Sequence, residues 1–320
     1  MKEELLKIFS VKLRTLFSGL SFDYEKLQEI RLRVNAPLLV CYDNKEFFVN
    51  QKNGLTTQET SAFMITGAEL KETMEYISNY SLYAFEEEVR QGFLTVAGGH
   101  RIGIAGKVIM EEGRIKSMKH ISFIHIRLAH QKKGCANHVL PFVLNQEELA
   151  HTLIISPPGC GKTTLLRDMI RQLSNGVVFC GKRYEGMQVA VVDERSEIGA
   201  CYMGRPQNDL GIRTDVLDCC PKAQGMMLMI RSMTPQVIAV DEIGLAEDVE
   251  AIHYAANCGC RLLATVHGRN MDEVKGKPFL GDLVKYKLFE RYIILSNRDY
   301  VGRVEEIFDE RGSLLYSDKT

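Results

Sequence analysis

Hydrophobic positions change their spacing about halfway along the chain, and the change predicts two different architectures. Over the first twenty residues Leu5, Ile8, Phe9, Leu13, Leu16 and Leu20 fall on one side of a helix, with Lys2, Glu3, Lys7, Lys12 and Arg14 interspersed. Acidic residues dilute its basic face, so the pattern predicts a helix docked on its own domain rather than a membrane or partner anchor. From Glu29 onward the stretches EIRLRV, LLVCY and EFFVN are separated by the turn-forming sets Asn35-Ala36-Pro37 and Asp43-Asn44-Lys45, which predicts a short antiparallel meander. Thr66, with Glu69 three residues on, forms the capping-box signature of a helix over 67–80, and a second helical stretch follows over 82–90. GFLTV, RIGIAGKVIM and SFIHIRLA then alternate around the Gly98-Gly99 and Glu112-Gly113 turns. Residues 1–140 therefore read as a smaller α+β N-terminal domain, with a linker around Lys132, Lys133, Gly134 and Asn137.

After residue 150 short apolar strands alternate with helices: HTLIIS, a helix over 163–174, QVAVVD, a helix over 222–233, QVIAVD, a helix over 246–258, RLLATV, a helix over 270–289, and RYIILS. That alternation predicts an α/β domain over 141–320, a parallel sheet covered by helices. The final VGRVEEIFDERGSLLYS reads as a hairpin turning at Arg311-Gly312.

Composition adds limits rather than chemistry. A formal charge of −1 supplies no global field toward nucleic acid or an anionic membrane. Nine cysteines are an odd count, and the opening MKEELLKIFS carries acidic residues where a secretory signal has an apolar core, so a reducing cytosol is expected. Cys219-Cys220 and Cys258/Cys260 lack the two-residue spacing of zinc sites and read as structural thiols. No apolar run reaches the ~20 residues of a membrane-spanning helix.

The chemistry concentrates in three strand ends. Ser156-Pro157-Pro158-Gly159-Cys160-Gly161-Lys162-Thr163-Thr164 lies between an apolar strand and a helix-forming run, the context of a phosphate loop of Walker A type. Successive backbone N–H groups from Gly159 to Thr164, in the binding loop that Pro158 opens, and the following helix N-terminus would cradle phosphate. Lys162 would then reach the β- and γ-phosphates, and the Thr163 hydroxyl would ligate Mg2+. Ser156 stands where the full pattern has glycine. QVIAVDEI ends in Asp241, which would hold the metal through water, and Glu242, which would activate the attacking water. RLLATVHG brings Thr265 and His267 to another strand end, with His267 a candidate γ-phosphate sensor. In sequence an extra strand, QVAVVD, separates the phosphate loop from Asp241. That strand and the glutamate beside the aspartate point to the RecA-like and AAA-like branch, and no guanine-reading NKxD is present, so the expected nucleotide is ATP. The polar stretch GRPQNDLGIRTD offers Arg205 and Arg213 as charge-neutralising arginines, in competition with Arg101, Arg231 and Arg269.

Taken together, SPPGCGKTTLLRD, VAVVDERSEIGACYMGRPQNDLGIRTDVLD, CPKAQGMMLMIRSMTPQVIAVDEIG, LLATVHG and, in the first domain, AFEEEVRQGFLTVAGGHRIGIAGKV resemble the stage III sporulation protein AA family of endospore-forming bacteria. That family looks like the type II and type IV secretion ATPases. The resemblance places an acidic box on Asp193 to Glu197, with Glu194 in the catalytic set, and a histidine box on His267. It implies a mother-cell ATPase that assembles as a homo-hexamer, sits peripherally against membrane-embedded channel proteins, and powers a channel between mother cell and forespore. The competing reading is a nucleic-acid-dependent ATPase, for which Gly103-Ile104-Ala105-Gly106 superficially matches a KH clamp loop. That loop should join two helices, whereas this one sits in strand-like sequence, and no nucleic acid is expected as a partner.

Overall fold

The computed structural model describes residues 2–21, 23–50, 52, 54–78, 93–111, 113–145, 148–179 and 181–318. Contacts divide the chain into two units, Met1–His130 and Gln131–Thr320. The second helical stretch expected over 82–90 lies outside the described residues.

In the first unit, seven antiparallel strands run in the order Gly54–Thr56, Lys45–Asn50, Leu39–Tyr42, Leu27–Arg33, Arg114–Arg127, Arg101–Glu111 and Phe93–Thr95. Alternation decides which face is buried. Ile30, Leu32, Val40, Ile102, Ile104, Ile124 and Ile126 point into a core closed by the amphipathic N-terminal segment and the helix Gly67–Ile77. The N-terminal segment docks on its own unit, as its pattern predicts, but as two helices, Lys2–Lys7 and Val11–Ser18. Ser10 explains the break. Its N–H donates to Thr73 Oγ1 (3.1 Å) instead of continuing a helix, and its own hydroxyl caps the second one by accepting from Leu13 N–H (3.4 Å). The expected capping box forms: Glu69 N–H donates to Thr66 Oγ1 (3.3 Å), and Thr66 N–H donates to Glu69 Oε2 (2.6 Å). Gly103 to Gly106 lie inside the strand Arg101–Glu111, and the register slips between Ala105 and Lys107. A Cβ at Gly106 would come within 2.8 Å of the backbone of Lys119, His120 and Ile121, so the glycine serves a β-bulge and not a clamp loop.

The second unit holds an eight-stranded sheet ordered Thr214–Asp218, Val189–Asp193, Val237–Val240, Arg261–His267, Thr152–Ser156, Arg291–Ser296, Arg303–Asp309 and Leu314–Ser317. The first six are parallel, and the last two form the antiparallel C-terminal hairpin. Central strands are buried along their whole length, which is why they read as unbroken apolar runs. The spatial order corrects one sequence argument. Val189–Asp193 intervenes between phosphate loop and aspartate only along the chain; in the sheet the intervening strand is Arg261–His267. Thr214–Asp218 is a further strand, half-buried at the sheet edge, that the polar stretch before it hides.

Helices Lys162–Asn175, Lys222–Met233 and Ala246–Asn257 match the apolar spacing closely. The helix expected over 270–289 is instead two short ones, Met271–Lys275 and Leu280–Lys285. Gly276 closes the first, and Pro278, which has no N–H to donate, prevents continuation. Residues 131–140 belong to the second unit. Lys133 pairs with Asp209 (2.5 Å), Ala136 N–H donates to Asp168 Oδ2 (2.9 Å), and Gln172 Nε2 donates to Asn137 Oδ1 (2.9 Å).

Candidate functional site

Parallel register explains why the candidate residues meet. Ser156 lies opposite His267, and Val240 opposite Ala264, so the carboxyl ends of three neighbouring strands open at one level. The loop leaving Ser156 turns through Gly159 (φ +73°) and Gly161 (φ +88°) into the helix that begins at Lys162. A side chain at Gly161 would press on Gly302 at 3.1 Å, whereas nothing lies within 4 Å of a Cβ built at Gly159. The loop is thus backed on one side and open on the other. Pro158 is exposed, Thr164 is half-buried, and Cys160 is buried with its thiol toward Pro158 O (3.7 Å).

Around this loop the side chains form one connected set. Thr163 Oγ1 donates to Asp241 Oδ2 at 2.7 Å, and Thr265 Oγ1 donates to Asp241 Oδ1. Thr265 Oγ1 also accepts from the Glu242 N–H (2.9 Å), which fixes Glu242 in a left-handed backbone conformation (φ +53°). Such a conformation in a side-chain-bearing residue costs on the order of 1 kcal/mol and persists where the surroundings impose it. Lys162 Nζ lies 3.1 Å from His267 Nδ1. An ammonium only donates, so Nδ1 accepts and Nε2 carries the ring proton, which it presents to Glu242 Oε1 at 2.9 Å. Arg195 NH1 meets the other oxygen, Oε2, at 2.7 Å.

The acidic box divides into different tasks. Asp193 is buried and accepts from the backbone N–H groups of Glu197 (2.8 Å), Ile198 (3.0 Å) and Gly199 (2.7 Å), so it pins the loop that follows it. Burial pushes its carboxyl above the usual range, outweighing those donors. Arg167, one turn along the phosphate-loop helix, donates to Ile198 O (2.9 Å) and Glu197 O (2.8 Å), and burial pulls its guanidinium below the ordinary value.

Two sequence expectations fall elsewhere. Glu194 pairs with Lys222 Nζ. Arg213 donates to Ser174 O (3.0 Å) at the far end of the helix Lys162–Asn175, about 20 Å from Lys162 at the helical rise, so it does not reach the phosphate loop of its own chain. Arg205 and Arg269 are exposed, and Arg231 lines a groove with Tyr254. Arg101 stacks on Phe93 in the first unit (3.7 Å). Arg195 was the residue the sequence did not single out. Its place inside DERSE, two residues from a buried aspartate, is the only signal it gives.

A family model described as "Sporulation stage III, protein AA" matches residues 1–315. The stage III sporulation protein AA of Bacillus subtilis (strain 168) is 40% identical over 290 residues, covering 91% of this chain and 89% of that protein. Among solved structures, the Legionella pneumophila ATPase DotB superposes with a TM-score of 0.54 at 17% identity, covering 90% of this chain and 78% of that one. The pilus retraction motor PilT, solved with bound ADP, gives 0.56 at 15% identity, covering 91% and 77%. At these identities the structural likeness establishes the fold alone, one that this chain shares with DotB and PilT.

Proposed function

The chain belongs to the sporulation stage III, protein AA family, and from that premise we propose that it is an Mg2+-dependent ATPase whose turnover drives a secretion-type channel between mother cell and forespore. The observation that carries the reading is the convergence of Lys162, Thr163, Asp241, Glu242 and His267 at the ends of three adjacent parallel strands. The donor set suits the groups it would receive. A threonine hydroxyl and a carboxylate are hard oxygen ligands, and the open side of the loop at Gly159 leaves room for phosphate oxygens against backbone N–H groups. Mg2+, held by Thr163 and through water by Asp241, would neutralise charge on the phosphates. Pro158 to Thr164 bind and orient the triphosphate, with Lys162 leaving His267 for it. Glu242 takes a proton from the attacking water, and His267, between Lys162 and Glu242, reports whether the γ-phosphate is present.

A secretion-type motor also needs a neighbour. We assign the protein to a homo-hexameric ring on the cytoplasmic side of the mother-cell membrane, held there by membrane-embedded channel proteins. No helix among the described residues is long and apolar enough to cross a membrane. An arginine from a neighbouring copy, Arg213 among the candidates, would complete the site, since that side chain does not reach its own. The test is phosphate release from ATP with Mg2+ or EDTA, in the parent and in Glu242→Gln, alongside sedimentation with a non-hydrolysable ATP analogue. Turnover that survives both EDTA and Glu242→Gln, or a protein that stays monomeric with the analogue and its channel partner, defeats the proposal.

A further inference from the structure

Resting on the reading of Glu242 as the water activator, we propose that Arg195 is its positioning residue, holding Oε2 of the carboxylate while His267 holds Oε1. Glu242 stands on a strained backbone at a strand end, and its N–H is anchored by Thr265. That anchor fixes the Cα but leaves the long side chain free to rotate. Two contacts on opposite oxygens remove that freedom. Each carboxylate oxygen accepts two hydrogen bonds, so one acceptor position on each remains open to water.

The base of Arg195 is as fixed as its tip. It lies in the loop that Asp193 gathers through three backbone N–H groups, and its neighbour Glu194 is tied to Lys222. Among the described residues the Arg195 side chain has Glu242 as its ion-pair partner. Among the described residues no hydrogen bond or ion pair joins it to Lys162, Thr163 or Asp241. The pair is asymmetric: the Arg195 side chain is 64% exposed and that of Glu242 20%. Losing the guanidinium therefore alters the carboxylate's orientation without opening a cavity.

The contact on Oε1 depends on the phosphate loop, because His267 donates from Nε2 while Lys162 occupies its Nδ1. When Lys162 moves to phosphate that constraint on the ring ends. Arg195 is then the contact that keeps Glu242 oriented through the step in which it is needed.

The test combines kinetics with the nucleotide-free protein. Arg195→Ala should lower kcat roughly tenfold or more and leave KM for ATP within about twofold, because the interaction lost acts on the activator and not on bound nucleotide. Arg195→Lys should recover part of kcat, since an ammonium keeps the charge but not the planar fork. In nucleotide-free protein, a double-mutant cycle of Arg195→Ala and Glu242→Ala read by chemical denaturation should show coupling of about threefold in the unfolding constant. An unchanged kcat in Arg195→Ala, a KM that rises in step with the loss, or no coupling in the cycle overturns the proposal. A parent protein with no turnover removes the activator role of Glu242 and the positioning role with it. Coupling that persisted in that case would mark a purely structural pair, which separates the two failures.

Discussion

The two units solve the same packing problem differently, and only one solution gathers chemistry. In the first, an antiparallel sheet buries alternate residues on one face, so polar groups are spread along the strands. In the second, the central parallel strands are buried on both faces, and their polar side chains gather at or near the strand ends. All six parallel strands end on one side, so Lys162, Asp241, Glu242 and His267 are brought together from three places in sequence. A sheet of this kind makes a site by its topology, whereas the antiparallel sheet offers a surface.

The largest effects should come from the strand ends. Lys162→Ala removes the charge facing the phosphates and should weaken ATP and ADP binding by roughly a hundredfold or more, measured by a fluorescent nucleotide. Glu242→Gln should keep binding near the parent's value and lose turnover by a comparable factor. Two variants with the same phenotype would mean that the residues do not share the work as their positions imply.

Next in size is the back of the same unit. Asp168 is buried on the phosphate-loop helix and accepts from Ala136 N–H, Gln172 Nε2 and both Arg171 Nε (3.0 Å) and NH2 (2.7 Å). Burial pushes its carboxyl up, but the bonds from Ala136, Arg171 and Gln172 outweigh it and hold it below the usual range. A depressed folded value means that its stabilisation is complete above the unfolded value near pH 4 and is lost as pH falls through the folded value. Asp168→Ala should cost about 3 kcal/mol at neutral pH by leaving these donors without an acceptor, and the difference from the parent should shrink in acid. Urea melts at pH 7 and pH 3 read it out. A constant difference at both would mean that packing and not charge is lost.

The strand ends were legible because each motif is contiguous. Gly159 to Thr164 is one loop, and Asp241 and Glu242 are neighbours on one strand. What was hidden depends on partners far away in sequence. Arg195 and Glu242 are 47 residues apart, and nothing near either announces the pair. Glu194 reads as catalytic from its box, yet Lys222, on the next helix, claims it. The same holds for the fold. Continuous apolar runs identified the central strands, while Thr214–Asp218, half-buried at the edge, has no run to read, and the N-terminal segment's periodicity passes through Ser10 without revealing the bond to Thr73 that breaks it.

A smaller effect tests whether the first unit can be weakened alone. Gly106→Val places a side chain against the backbone of Lys119–Ile121 at the bulge and should destabilise that unit by about 1–3 kcal/mol. Nucleotide affinity should stay within a few fold, because Lys162, Thr163, Asp241 and His267 belong to the second unit. A large loss of affinity in this variant would show that the antiparallel unit shapes the nucleotide site.

The smallest predicted effect is at the helix Gly67–Ile77. Thr66 Oγ1 and the Glu69 carboxylate satisfy each other's backbone N–H groups, and Lys12 adds an ion pair to Glu69 at 2.8 Å. Burial pushes the Glu69 carboxyl up, but Lys12 and Thr66 outweigh it and hold the group below its ordinary value. Thr66→Ala removes the side-chain half of the box and should cost about 1 kcal/mol, typical of a lost N-cap. Because the Glu69 folded value is depressed, the stability it supplies is present above the ordinary glutamate range and is lost as pH falls through the folded value. Glu69→Gln should therefore converge with the parent in acid and differ from it most at neutral pH. Thr66→Ala should keep most of its difference in acid, because the bond from the Glu69 N–H to Thr66 Oγ1 carries no titrating group. Both are read in circular dichroism melts and not in nucleotide affinity. An unchanged melt for Thr66→Ala at pH 7 would mean that the buried face of the helix, with Leu70, Met74 and Ile77 in the core, holds it without help from its cap.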